Sequence, residues 1–204
     1  MKIDSGWLTQ IERQPSPHFN QRVVSPTSLI KGDVKVGCKD EVNSPSQVSL
    51  LVVHNISLPP AKFDGDYITD FFLGKLDPNA DPYFETIYKM RVSAHCLIRR
   101  DGKIIQYVSF DDSAWHAGIS TYLGKDKCND FSIGIELEGT DDIPYTQKQY
   151  QQLAKVTSLL QKYYPLLNNN IAGHCDIAPE RKTDPGKVFD WPHFQSLLIT
   201  GKSE

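Results

Sequence analysis

The chain has 204 residues, of which 39% are hydrophobic and 23% charged, with a formal net charge of −3 at neutral pH. That length suits one domain with a sizeable core, and the composition excludes a disordered or fibrous chain. A mildly acidic balance offers no electrostatic footprint for a nucleic-acid backbone, and no segment approaches the roughly 20 apolar residues needed to cross a bilayer.

The opening residues Met1 to Trp7 have no basic stretch leading into an apolar run and no small-residue cleavage site. They do not read as a secretory signal, so the cytoplasm is the expected compartment. Residues 20–47 are broken by Pro26, Gly32, Gly37 and Pro45 and read as a surface insertion or long loop containing a short hairpin. Ser49 to Ile56 is a continuous apolar run, the pattern of a strand buried on both faces. Tyr67 to Leu73 and Tyr83 to Met90 read as short helices separated by Asp77-Pro78-Asn79. Ser93 to Arg100 and Lys103 to Ser109 are β-like arms joined by Asp101-Gly102, a hairpin signal.

Phe131 to Glu138 reads as another strand, with Ile133, Ile135 and Leu137 on one face and Ser132, Gly134, Glu136 and Glu138 on the other. The clearest helix runs from about Thr146 to Tyr163, opened by a capping box of Thr146 and Gln149 and stopped by Pro165. Tyr150, Leu153, Val156, Leu160 and Tyr163 recur at helical spacing and should face the core. A short strand near Ile171 and a helix over Trp191 to Ile199 complete the count. There is no internal repeat, low-complexity tract or linker. These elements predict one α/β domain over residues 1–204, a mixed central sheet flanked by helices. Cys38, Cys96, Cys128 and Cys175 are scattered without a CxxC pair and read as reduced thiols packed as small hydrophobes.

Two places could carry chemistry. His54 ends the buried strand, where an imidazole must be hydrogen-bonded or metal-bound because an unsatisfied polar group is costly there. His54 taken alone reads better as a satisfied core or strand-end histidine. The second place is Gly173 to Gly186 (GHCDIAPERKTDPG), where His174 follows a short apolar strand and a punctuated loop returns Lys182 and Asp184. Zinc accepts imidazole nitrogen and carboxylate oxygen, and a catalytic site uses three protein ligands with a fourth position open. Two ligands close in sequence and one from a distant strand end would meet that need. A solvated loop whose charges pair among themselves meets the spacing too, since no HExxH pattern is present.

Four blocks in order carry a resemblance: Leu50 to Pro60 (LLVVHNISLPP), Arg91 to Gly102 (RVSAHCLIRRDG), Cys128 to Thr140 (CNDFSIGIELEGT) and Gly173 to Gly186. With Gly6-Trp7-Leu8 and Pro15-Ser16-Pro17-His18 before them, the chain resembles the N-acetylmuramoyl-L-alanine amidase family, which shares the phage T7 lysozyme and peptidoglycan-recognition-protein fold. Within it, the closest resemblance is to the cytosolic type that cleaves 1,6-anhydro-N-acetylmuramyl peptides in cell-wall recycling.

The resemblance implies one zinc ion per chain on His54, His174 and Asp184, with Glu136 as the catalytic carboxylate and Lys182 at the reacting carbonyl. Strand alternation does not choose between Glu136 and Glu138; the family match favours Glu136. Some relatives place a tyrosine before the histidine of the hairpin strand. Here Ala94 precedes His95, which fits a role for Glu136 instead. The resemblance also implies substrate contacts by Asn55, Arg91, Trp115 and Lys127, the last standing where close relatives often carry arginine. An indole packs on a sugar face, and cations hold peptide carboxylates. A core tryptophan and ordinary surface cations are the plainer readings of the same residues. His18 and His193 read as structural or exposed.

The implied substrate is a small soluble anhydro-muropeptide, with no nucleic acid, membrane or obligate protein partner. An autolysin or endolysin acting on intact wall is the alternative of the same chemistry. A non-catalytic recognition module would have lost a zinc ligand, and all three candidates are present.

Overall fold

The computed structural model of the protein describes residues 1–22 and 48–200. The expected hairpin and insertion over residues 23–47 lie outside the described residues, as does Cys38. Four short strands open the chain: β1 (Ile3–Asp4), β2 (Trp7–Leu8), β3 (Glu12–Arg13) and β4 (Phe19–Gln21). Then come β5 (Leu50–Ile56), α1 (Tyr67–Phe72) and α2 (Phe84–Ile87). The hairpin strands β6 (Cys96–Ile98) and β7 (Ile104–Gln106) are followed by β8 (Asp112–Ala114), β9 (Thr121–Tyr122) and β10 (Lys125–Asp126). β11 (Ser132–Glu138), α3 (Gln147–Tyr163), β12 (Ile171–Gly173), α4 (His174–Ile177) and α5 (Trp191–Thr200) complete the order.

The fold is the expected mixed sheet with helices. Its six strands run β12-β5-β11-β6-β7-β3. β12, β5, β11 and β6 are parallel neighbours, and β7 returns antiparallel to β6. β5 and β11 are buried along nearly their whole length, because central parallel strands are covered on both faces. On one face Leu51, Val53, Ile133, Ile135 and Leu137 pack against Leu153, Val156 and Leu160 of α3 and Phe194 of α5. On the other, Leu97, Ile105 and Tyr107 meet Phe71 and Phe72 of α1, while Leu50 and Val52 meet Ala172 and Ile177. The chemistry sits between these two clusters of the second face.

The capping box of α3 forms as the sequence predicts: Thr146 Oγ1 accepts from Gln149 N, and Gln149 Oε1 accepts from Thr146 N. Four expectations shift. The second helix is only Phe84–Ile87, because around it the backbone closes with three-residue bonds such as Thr86 N to Tyr83 O and Met90 N to Ile87 O. The hairpin arms are shorter than their β-like runs, since Arg99 N bonds Lys103 O and Gly102 N bonds Arg99 O in a turn where Gly102 takes φ of 87°. Tyr163 is half-buried, and the neighbouring Tyr164 takes the buried place, its hydroxyl donating to Asp111. Asn20 and Gln21, expected to begin the long loop, belong to β4, which pairs with β8. Cys96, Cys128 and Cys175 are free thiols, the first two buried.

Candidate active site

Register places the site. β5 and β11 pair in parallel with His54 opposite Glu136 and Val52 opposite Gly134, so these side chains share one face. β12 pairs on the other side of β5 with Gly173 opposite Val53, and His174 follows at its carboxyl end. The chain then turns into α4, where the Asp176 carboxylate accepts from Gly173 N at 2.7 Å. Gly173 has no room for a side chain: an added Cβ would lie 2.8 Å from Pro185 and 3.0 Å from Cys175 Sγ. Cys175 N donates to Asp184 O at 2.9 Å and ties the returning loop to α4. This is how the sequence-predicted trio converges: two strand ends, and a loop pinned to the second of them.

His54 Nδ1, His174 Nδ1 and Asp184 Oδ2 lie 2.9–3.1 Å from one another. His54 is 1% exposed and His174 3%. The far nitrogen of each ring is bonded away from the trio, His174 Nε2 to the Ala117 carbonyl at 3.2 Å and His54 Nε2 to His116 Nδ1 at 2.9 Å. Two ring nitrogens and a carboxylate oxygen meeting this closely form an electron-rich cluster that a cation between them would relieve. A tetrahedral ion with bonds of about 2.0–2.1 Å separates its ligand atoms by about 3.3 Å. The donor set therefore fits a metal ion, and the three residues form a group that could hold one.

Burial dominates the electrostatics. It pushes His54 down to about 4, with hydrogen bonding to Asp184 opposing, so the imidazole is neutral at neutral pH, the form a metal binds. Burial opposes ionisation of Asp184, but its contacts with His174 and His54 outweigh it and hold the carboxyl below the usual range. Glu136 goes the other way. Burial first, then the Asp184 charge, raise it well above the ordinary carboxylate range, with Lys182 partly offsetting both. Its Oε2 is buried without a hydrogen-bond partner among the described residues. Glu138, on the same face, accepts from Arg100 N at 3.0 Å and pairs with Arg99 at 3.5 Å. The structure thus separates two carboxylates that alternation leaves equivalent: Glu138 is committed to structure, while Glu136 keeps one oxygen unpaired among the described residues.

A cleft of about 510 Å³ opens beside the trio, lined by Asn55, Asp141, Arg181, Lys182 and Asp184 among others. Asn55 Nδ2 donates to Asp141 at 2.8 Å. Arg181 donates to the Ala117 and Ile119 carbonyls at 2.7 and 2.9 Å. Of the expected substrate contacts, Asn55 lines this cleft and Arg91, Trp115 and Lys127 do not. Arg91 and Lys127 are exposed, and Trp115 is half-buried with its ring stacked on His18 at 5.8 Å.

His95 is a hydrogen-bonded structural histidine: Nδ1 accepts from Gly134 N at 3.0 Å and Nε2 donates to the Asp112 carbonyl at 3.1 Å. Sequence reasoning gave no job to Asp141, Arg181 or His116. Arg181 stood inside a block already singled out, one residue from Lys182. The contacts of Asp141 and His116 are long-range and leave no local signal.

The chain matches the family model for N-acetylmuramoyl-L-alanine amidase over residues 44–187. It is 56% identical over 198 residues to the 1,6-anhydro-N-acetylmuramyl-L-alanine amidase AmpD of Citrobacter freundii, covering 97% of this chain and 95% of that protein. A crystal structure of a selenomethionine AmpD derivative superposes with a TM-score of 0.85 at 56% identity, covering 97% of this chain and 99% of the other. A more distant solved structure is AmiD from E. coli, in complex with anhydro-N-acetylmuramic acid-L-Ala-D-γ-Glu-L-Lys. It shows 28% identity and a TM-score of 0.56, with 78% of this chain and 60% of the other covered.

Proposed function

Because the chain belongs to the N-acetylmuramoyl-L-alanine amidase family, we propose that it hydrolyses the amide between the lactyl group of 1,6-anhydro-N-acetylmuramic acid and the L-alanine of the stem peptide, using one zinc ion held by His54, His174 and Asp184. The observation that carries the reading is the pairing of His54 with Glu136 across β5 and β11, by which a buried carboxylate oxygen, unpartnered among the described residues, lies beside a trio that could hold a metal. The substrate assignment is supported by the names and extent of the relatives, which match nearly the whole chain.

Bound zinc would supply a Lewis acid for the scissile carbonyl and lower the pKa of the attacking water. Glu136 acts as general base and then general acid, taking a proton from the water at its carboxylate and delivering it to the departing amine. A carboxyl raised by burial suits both halves of that task, since its proton affinity lies closer to working pH. Lys182, lining the same cleft, presents an ammonium to the oxyanion as the tetrahedral carbon forms. Asn55 lies at the cleft wall, held by Asp141, where it can bond the peptide backbone. For Arg91, Lys127 and Trp115, as carboxylate and sugar contacts, the resemblance is the support.

The chain acts as one amidase domain on a small soluble fragment, and the cytoplasm is its proposed place of action. No helix among the described residues is long and apolar enough to cross a membrane. The test is to give the purified protein anhydro-muropeptide and, separately, intact sacculi. Peptide release from the soluble substrate, abolished by chelator and restored by zinc, is expected. Clearing of sacculi with poor turnover of the soluble fragment would transfer the reading to a wall-lytic amidase.

A further inference from the structure

His116 lies in the loop between β8 and β9, and nothing above uses it beyond its contact with His54. The hydrogen bonds around it have a direction that the backbone fixes. The Cys128 carbonyl can only accept, so Ser132 Oγ spends its one proton on it, at 2.6 Å. The other contact of that hydroxyl, 3.1 Å to His116 Nε2, then requires the ring nitrogen to be the donor. Among the described residues the ring atoms of His116 bond only Ser132 Oγ and His54 Nε2, with no carboxylate beside them to hold a second proton on the ring. With its proton on Nε2, Nδ1 is left as an acceptor. Across the 2.9 Å contact between His116 Nδ1 and His54 Nε2, His54 must donate. The proton of His54 therefore sits on Nε2, and the lone pair on Nδ1 faces His174 and Asp184.

The ring that does this is closely held. Asn129 Oδ1 accepts from both His116 N, at 3.1 Å, and Ala117 N, at 2.8 Å. Asn129 is itself fixed through its carbonyl, which accepts from Arg22 and Ser113. On the other side the imidazole lies close against Gly134 of β11. A Cβ on Gly134 would fall 2.4 Å from His116 Cγ and 2.5 Å from Nδ1. A glycine in the middle of a buried strand marks such a close approach.

We propose that Ser132 and His116 are positioning residues which set the tautomer of His54, so that Nδ1 rather than Nε2 is presented to the metal. The inference rests on the metal-centre reading above. Partners of this kind fix ring orientation and raise ligand basicity in metal sites generally.

The direct test is the protonation pattern of the histidine rings, read from long-range nitrogen–proton correlations in the nitrogen-labelled protein, metal-free and zinc-loaded. His116 should carry its proton on Nε2 and His54 on Nε2 in the loaded form. A loaded protein with the His116 proton on Nδ1 overturns the proposal. The second readout is zinc affinity by competition with a chromophoric chelator. His116→Leu should weaken it by about 10- to 100-fold. His116→Asn, whose Oδ1 can stand where Nδ1 stood, should recover most of the loss. Ser132→Ala should weaken zinc by a smaller factor and release the His116 tautomer into a mixture. If His116→Leu does not fold, the wild-type spectrum and Ser132→Ala decide. Zinc uptake by wild type and equal uptake by folded His116→Leu defeats this inference alone. Wild-type protein that takes up no zinc defeats the metal-centre reading and this inference with it.

Discussion

At the scale of single residues, the instructive pair is Glu136 and Glu138. They share a face of β11 by alternation, yet one is bonded to Arg99 and the backbone of Arg100 while the other keeps a buried oxygen without a partner among the described residues. Glu136→Gln should keep zinc but lower turnover of anhydro-muropeptide by about 10²- to 10⁴-fold, the usual worth of a general acid–base group. Metal content and kcat measured on one preparation check it; near-wild-type kcat would remove Glu136 from the mechanism. The same substitution has a stability signature. The Glu136 pKa lies above its unfolded value of about 4.5, so the folded state holds its proton more tightly. That contribution to stability is fully present below the unfolded pKa and is lost as pH rises through the folded one. Metal-free Glu136→Gln should therefore melt higher than wild type at neutral pH, and the gap should close on acidification below about 4. The sequence made His54, His174 and Asp184 chemically eligible, and the resemblance selected them. It could not split the two glutamates or reveal His116, whose partner is 62 positions away.

Elements were legible where they were long and periodic. β5, β11 and α3 are close to their expected bounds because a continuous apolar run buries both faces of a strand and a 3.6-residue stripe buries one face of a helix. The strands of two or three residues, and the four-residue α4, are too short to carry a period. They exist because long-range partners are there to receive them: β3 is called into the sheet by β7, and β4 is held by β8. The capping box is the exception, a local signal that marks its terminus at residue precision. Thr146 Oγ1 also donates to the Arg100 carbonyl at 2.8 Å, joining the helix start to the hairpin. Thr146→Ala should cost about 1 kcal/mol. The melting temperature should fall by about 2–4 °C at this chain length. Turnover should stay at the wild-type value, because α3 covers the face of the sheet opposite the cleft. A calorimetric scan and a rate measurement on the same sample separate the two effects; an unchanged melting temperature would mean that Gln149 alone holds the terminus.

At the scale of the whole molecule, the two faces of the sheet divide the labour. One face is largely apolar and packs α3 and α5. On the other, the carboxyl ends of three neighbouring parallel strands deliver His54, Glu136 and His174 to one place, where a ligand site in such a sheet belongs. The arrangement has an energetic consequence. In the metal-free protein, two ring nitrogens and a carboxylate oxygen crowd within 3.1 Å in a buried site, and folding must hold them there. An ion that binds only the folded state stabilises it by mass action, about 2.7 kcal/mol when free metal stands at 100 times its Kd. For a chain of about 200 residues that corresponds to about 5–10 °C in melting temperature. Chelation should therefore lower the transition by that amount, and added zinc should restore it with a midpoint that climbs with zinc concentration. Asp184→Ala should abolish the dependence, since it removes the anionic ligand and leaves two neutral imidazoles. A melting temperature indifferent to chelator and zinc would show that the trio is a hydrogen-bonded core cluster, with folding alone sufficient to assemble it.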